Sequence, residues 1–229
     1  NQSYAWNNTN QGSAITATTV NSQTATIRYR TASSGDYTLT SAPQIKNVSE
    51  SPLTVYYQVT APNHTTKTGS YTITITAPAI SIPSPTNGGG TYTGSGYTAT
   101  FQAASYASIT KYQTSTDGST WTDASPATTN PSKSTVGTIY VRAYYTADGN
   151  HSGSGYSSSA TITVTNASIT VKTVGQCSVT TQSYTYTGSA QGVGLTATTV
   201  NSQTATIKYR TTSSGEYNLT TAPTATTVA

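Results

Sequence analysis

The sequence predicts an all-β protein made of β-sandwich domains in tandem, and three observations lead to this fold class. Hydrophobic residues make up 33% of the chain, which has 18 tyrosines, one phenylalanine and no methionine. Tyrosine and the abundant β-branched residues suit the pleated surface of a sheet. Short segments alternate between apolar and polar residues, and one long segment occurs twice in the chain.

The alternating segments predict individual strands. Residues 72–76, 161–165 and 168–172 each alternate threonine, serine or lysine with isoleucine or valine. A period of two directs the isoleucines and valines to the core face and the threonines to the solvent face. Glycine-containing turn sequences separate the strands, as in a β-sandwich, and they lie at residues 33–36, 87–90, 117–118 and 148–150.

The strongest repeat concerns residues 16–27 and 196–207, which are identical letter for letter. The differences that follow are conservative: Arg28 becomes Lys208, and Asp36 becomes Glu216. An enzyme needs one active site, whereas tandem copies suit a protein that provides length or multiplicity. The repeat therefore favours a stalk, a fibre or an array of binding modules.

A weaker repeat divides the chain into three domains. The motif around Tyr29 leads through a glycine turn to an apolar strand, and the motif around Tyr112 does the same. We predict a first unit at 1–78, a middle unit at 79–165 and a third unit at 166–229.

Neither the first nor the third unit carries a full set of strands. The first has no counterpart of the strand near residue 168, and the third stops before counterparts of the strands near residues 53–59 and 71–76. Either the chain is a window on a longer array, which we favour, or neighbouring molecules donate the missing strands.

The charge pattern, the hydropathy and the single cysteine limit the partners that the sequence predicts. Only 7% of the residues are charged, and the net charge of +4 comes from basic residues scattered along the chain rather than clustered. We therefore expect no nucleic-acid partner, since such binders concentrate Lys and Arg on one face. No segment predicts a membrane span. Cys177 is either a small buried side chain or a free thiol that pairs between chains.

Catalytic and metal-binding patterns are not found. The six acidic residues lie scattered among turns, without the paired set that glycoside hydrolysis uses. His64 and His151 are equivalent loop positions, predicted to be solvated, and only Asp148 stands near as a further ligand. We predict no catalytic residue, no metal and no cofactor, and hence a protein that is not an enzyme.

Three segments resemble the immunoglobulin-like tandem repeat domains of bacterial secreted and cell-surface proteins. They are YTYTGSAQ at 184–191, DGSTW at 117–121 and VYYQV at 55–59. The resemblance implies seven-stranded sandwiches in an elongated array, an extracellular location and a role as stalk or adhesin.

Two functional hypotheses follow. The first is a structural one: part of a cell-surface stalk, adhesin shaft or fibre, with copies of itself or neighbouring repeats of a longer chain as partners. Strand complementation between subunits is one route of assembly. The second is a carbohydrate-binding module that contacts surface glycans through exposed aromatic rings. Tyr56 and Tyr140, predicted to share an outward strand face, and Trp121, at a hairpin, are the candidates for glycan or lateral contacts.

Overall fold

The computed structural model of the chain describes residues 1–173 and 182–227. The protein is nearly all β, with 38% strand and 3% helix arranged in several sheets. Within the described residues, helix is limited to short 3-10 turns at Val20–Ser22, Val48–Glu50 and Val200–Ser202. The predicted all-β class is confirmed, and the sheets are consistent with a β-sandwich.

Residues 1–78, the predicted first unit, contain a four-stranded sheet. Its strands β1 to β4 span Gln2–Ala5, Thr26–Arg30, Leu53–Thr60 and Lys67–Thr76. They lie in the order β1-β4-β3-β2. β2, β3 and β4 pair antiparallel, whereas β1 pairs parallel with the end of β4, Tyr4 lying opposite Ile75. The first and last strands of the unit are therefore neighbours that run in the same direction.

The core of the first unit lies on one face of this sheet. Val55 and Ile73 are fully buried, and Tyr29 is almost so. Ile45, which pairs with Gln11 in an isolated bridge outside the sheet, is buried against the same cluster. Full burial of side chains of this size contributes about 1.5–3 kcal/mol each. The alternation predicted for residues 72–76 is confirmed, since Ile73 and Ile75 point into the core.

The middle unit contains eight strands. β5 to β12 span Gly88–Thr91, Tyr97–Thr98, Ala107–Ser115, Thr122–Asp123, Ser132–Lys133, Gly137–Ala147, Gly155–Tyr156 and Ala160–Thr165. The main sheet runs β5-β12-β10-β7-β8, with β11 also paired to β10, and β6 pairs with β9 in a second sheet. β5 pairs parallel with the end of β12, as β1 does with β4. The two units thus close in the same way.

The core of the middle unit lies between these sheets. Val141, Ala160 and Ile162 from the main sheet form a buried cluster with Ala99, and Tyr97 of β6 packs against it. Tyr145 of β10 is fully buried, and its hydroxyl donates a hydrogen bond to the Gln102 carbonyl at 2.6 Å. A buried tyrosine needs such a partner for its hydroxyl.

The third unit begins with a two-stranded sheet. β13, Thr170–Thr173, pairs antiparallel with β14, Leu195–Thr198. The predicted strand near 168–172 is present, but the prediction that its apolar residues face a core is wrong. Ile169 is 57% exposed and Val171 is 46% exposed. The described part of the third unit provides no second layer that would cover these side chains.

Candidate functional site: cation–aromatic stacks and the junction of the first two units

Tyr56 lies beneath an arginine in the first unit. The register of β2 and β3 places Arg30 directly opposite Tyr56. The guanidinium carbon of Arg30 lies 5.4 Å from the centroid of the Tyr56 ring and 4.4 Å from that of Tyr37. The same guanidinium donates to the carbonyls of Ser33 and Gly35. Arg30 therefore ties the 33–36 turn to two aromatic rings, and Tyr56 is part of that packing.

Trp121 forms a similar stack in the middle unit. The guanidinium carbon of Arg142 lies 4.2 Å from the Trp121 ring centroid and 4.1 Å from that of Tyr156. Its Nε and Nη2 atoms donate to Gln113 Oε1 at 2.9 and 2.7 Å. A guanidinium held between two rings gains about 0.5–2 kcal/mol from each contact. One face of Trp121 is thus covered by a cation.

Charged side chains extend the Arg142 stack. Asp123 Oδ1 accepts hydrogen bonds from Gln113 Nε2 at 2.8 Å and from Lys111 Nζ at 3.3 Å. These bonds, the Gln113 bond first, lower the pKa of Asp123. Hydrogen bonding to Tyr156 and then to Asp123 raises the pKa of Lys111. Both shifts favour the charged forms, so Lys111 and Asp123 are oppositely charged neighbours at neutral pH.

Tyr140 lies under the 116–121 turn. A Cβ at Gly118 would sit 3.5 Å from three atoms of the Tyr140 ring, which shows how closely the turn approaches it. Tyr140 and Tyr56 do not occupy equivalent positions. Tyr29 and Tyr112 correspond in the weaker repeat, and they pair with Tyr57 and Ala143 on the neighbouring strands. Tyr56 and Arg142 each precede these partners by one residue, so the counterpart of Tyr56 is Arg142.

The third unit repeats the arginine stack. The guanidinium carbon of Arg210 lies 4.4 Å from the Tyr217 ring centroid, and its Nη1 donates to the Gly215 carbonyl at 2.8 Å. Each unit therefore has one such stack among its described residues. This geometry accounts for Tyr56, Tyr140 and Trp121 as packing residues, and their role as glycan or lateral contacts stays a prediction.

An aromatic cluster joins the first unit to the middle unit. The His151 ring stacks on Tyr106 with centroids 4.1 Å apart, and Trp6 meets the His151 ring edge-on at 4.8 Å. His151 Nδ1 also lies 2.7 Å from Asp148 Oδ1, and this hydrogen bond is the first cause of the lowered pKa of Asp148. The His151 side chain is only 5% exposed. The prediction of a solvated His151 is therefore wrong, because Trp6 of the first unit covers it.

Polar contacts support the same junction. Asn150 Oδ1 accepts from the Val48 backbone amide at 2.9 Å, and Asn150 Nδ2 donates to Asn47 Oδ1 at 3.3 Å. The backbone of the connecting segment is fixed as well, since the Ser152 amide donates to the Pro78 carbonyl at 2.9 Å. An open cavity of about 570 Å³ borders the cluster, with Trp6 and His151 in its wall.

Two glutamines that were not predicted as important bind the first strand of the first unit to neighbouring backbone. Gln2 pairs its side-chain amide with the Ser13 backbone in both directions at 2.8 Å, and buried Gln11 donates to the Ala5 carbonyl at 3.0 Å. Gln182 and Gln191 make the corresponding bonds in the third unit. Their recurrence in the repeat was the signal available in the sequence.

Two further predictions concern metal ligands and the single cysteine. Within residues 1–173 and 182–227, no three His, Cys, Asp or Glu side chains lie close enough together to hold a metal ion. Cys177, the predicted buried or intermolecular thiol, lies outside the described residues.

Comparison with known proteins finds no matching family and no similar curated protein. In the part of the chain that the structure describes, no helix has the length and apolar character needed to cross a membrane.

Proposed function

We propose that this chain is a structural repeat protein of tandem, immunoglobulin-like sandwich units in an elongated arrangement. It forms part of an extracellular cell-surface stalk, adhesin shaft or fibre. The observation that carries the proposal is the closure of two successive units by a parallel pair of their first and last strands, β1 with β4 and β5 with β12.

This closure resists tension along the chain. The chain enters the first unit at the start of β1 and leaves it at the end of β4. It leaves the middle unit at the end of β12, whereas residues 79–87, which are hydrogen-bonded to Ser152 and Thr100, precede β5. A pull on the two ends therefore draws the parallel strands in opposite directions along their own axes. The evenly spaced ladder bonds between them are loaded together rather than one after another. Resistance to tension is the property a shaft needs.

The surface chemistry supports close lateral packing of such units. With 7% charged residues, neighbouring shafts experience little repulsion between like charges. In the middle unit, two of the few charges are also paired with each other, because Lys111 Nζ lies 3.3 Å from Asp123 Oδ1. We therefore propose other copies of this chain, or further repeats of a longer one, as its partners.

Strand complementation remains one route of assembly. Tyr29 pairs its backbone with Leu39 on one side and with Tyr57 of β3 on the other. Its counterpart Tyr209 pairs with Leu219 in the same way, but no strand takes the place of β3 in the described part of the third unit. On this route, a neighbouring copy supplies the strand that pairs with the Tyr209 segment as β3 pairs with β2.

Negative-stain electron microscopy of the native material, combined with intact mass, tests the proposal. Long filaments with the mass of a single chain would support assembly by strand exchange. Long filaments with a far larger mass would support a longer repeat protein. Short, discrete particles without higher assembly would overturn the structural function and favour a binding module.

A further inference from the structure

Val20 and Val200 show the same surface in two environments. They occupy the same position of the identical segments 16–27 and 196–207. Each begins a 3-10 turn that is held by a hydrogen bond from the preceding threonine hydroxyl to a glutamine carbonyl, at 2.7 Å in the first copy and 2.8 Å in the second. Yet Val20 is 72% exposed and Val200 only 39%. The difference lies in what covers the second copy.

The middle unit and the segment that follows it partly cover Val200. Tyr92 and Val136 of the middle unit and Ile169 of the following segment line a small open cavity of about 150 Å³ together with Val200 and Gln203. Gln203 Nε2 donates a hydrogen bond to the Tyr92 hydroxyl at 3.0 Å. Strand β13, which follows the middle unit in the chain, pairs with β14, and β14 ends just before the Val200–Ser202 turn. The contact thus combines an apolar patch, one amide hydrogen bond and one strand pair.

The first unit presents the same surface uncovered. Residues 15–18, which correspond to β14, belong to no strand of the described chain. Val20 borders an open groove of about 290 Å³ whose walls include Val59, His64 and Lys67. The Nε2 atom of His64 is buried without a hydrogen-bond partner in the described part of the chain. A buried polar atom of this kind is satisfied when a donor arrives.

We propose that this open face of the first unit binds the middle unit of a second copy of the chain. The Tyr92 patch of the middle unit and β13, which follows that unit in the chain, release β14 and the Val200 turn of their own chain. They then make the same contacts on residues 15–23 of the next copy. The inference rests on the proposed structural function and names the partner that extends the shaft: each first unit is seated on the middle unit of the preceding copy.

Competition between two identical surfaces controls this exchange. The third unit is tethered to the middle unit, so its effective concentration is on the order of millimolar. The first unit of another copy offers the same residues but has to arrive by diffusion. The chain therefore stays closed on itself when dilute, and it associates when concentrated or when the third-unit contact is weakened.

Matched substitutions in the two identical segments test the proposal in the full chain. Val200→Asp weakens the internal contact, and we expect self-association in sedimentation velocity at an about tenfold lower protein concentration than for the wild type. Val20→Asp removes the external contact, and we expect it to abolish association, also when combined with Val200→Asp. Equal association of the two single variants would overturn the proposal.

Gln203→Ala and Gln23→Ala provide a gentler pair, since both glutamines are exposed and the change deletes one hydrogen bond. We expect an about fivefold shift in the same opposite directions, which corresponds to a single net hydrogen bond. If neither pair shifts association while microscopy still shows long particles, the docking is wrong and the structural function stands. If the particles are short as well, both are wrong.

Discussion

Arg142 is the residue around which the outer face of the middle unit is organised. In the strand pairing of the two units, Arg142 occupies the position of Tyr56, and its partner Gln113 occupies the position of Arg30. The arginine thus lies on β2 in the first unit and on β10, the counterpart of β3, in the middle unit. In both units it stacks on an aromatic ring beside a glycine turn, Tyr37 in the first and Trp121 in the second. No local pattern in the sequence reveals this pairing, because it depends on two strands that meet only in the fold.

Arg142→Ala should lower the free energy of unfolding by about 2 kcal/mol, because it removes two ring contacts and leaves Gln113 Oε1 without its donors. Urea unfolding followed by tryptophan fluorescence measures this. Arg28→Ala is the control: Arg28 lies exposed on β2, so its loss should cost no more than about 0.5 kcal/mol. Equal effects of the two changes would mean that the stack adds nothing and would strengthen the case for Trp121 as a ligand contact.

The buried Tyr145 makes the free energy of unfolding depend on pH in the alkaline range. Burial raises the pKa of Tyr145 above its ordinary value of 10.0, as it does for Tyr71 and Tyr112. The folded state therefore holds the phenol proton more tightly than the unfolded state. The stabilisation is complete below pH 10.0 and is lost as the pH rises through the higher pKa of the folded state. We expect the melting temperature to fall above about pH 10.

Tyr145→Phe should reduce that alkaline loss, and at neutral pH it should cost about 1 kcal/mol through the lost bond to Gln102. Melting curves of both proteins at intervals from about pH 8 to about pH 12 compare the two slopes. An unchanged slope in the variant would show that other groups set the alkaline limit.

At the scale of the strands, the sequence predicts those whose side chains alternate and misses those built from glycine. The alternation at 72–76 and 161–165 corresponds to the ends of β4 and β12. The turn predicted at residues 87–90 is wrong, because Gly88, Gly89 and Gly90 belong to β5. Three glycines give no alternating pattern, and the parallel partner β12 lies far away along the chain. The closure that carries the proposed function was for this reason not predictable from local sequence.

Gly89→Ala should break the pairing of β5 with β12. A Cβ at Gly89 would lie 2.0 Å from the Thr163 carbonyl oxygen, and its φ of +129° disfavours any other residue. We expect a loss of about 3 kcal/mol or detachment of β5, seen as faster amide hydrogen exchange in β12. At Gly149 a Cβ meets nothing within 4 Å, so Gly149→Ala is the control and should leave exchange unchanged. Unaltered exchange in the Gly89 variant would contradict the role of this strand pair.

At the scale of the whole molecule, the junction of the first two units depends on residues that look like ordinary loop residues in the sequence. His151 and His64 occupy corresponding loops, and the sequence predicts solvent around both. His151 is buried between Tyr106 of its own unit and Trp6 of another unit. Docking between units is a tertiary property, which explains why composition and turn signals could not predict it.

His151→Ala should uncouple the first unit from the middle unit, because it empties the space between Trp6 and Tyr106. We expect calorimetric unfolding to separate into two transitions, with a loss of coupling of about 1–2 kcal/mol. His64→Ala is the matched control in the first unit and should leave the transitions coupled. A single transition in the His151 variant would show that the remaining contacts, the Trp6–Tyr106 pair and the Asn150 and Ser152 hydrogen bonds, are sufficient to hold the junction.

The two identical turns also make the chain its own reference for spectroscopy. Val20 and Val200 share their neighbours in sequence and their local backbone, so intrinsic contributions to the chemical shifts of their methyl groups cancel. A difference between the two pairs of resonances reports their tertiary surroundings: the groove with Val59 and His64 at Val20, and the Tyr92 patch at Val200. In a valine-labelled sample, one spectrum therefore allows the methyl resonances of the two residues to be compared directly.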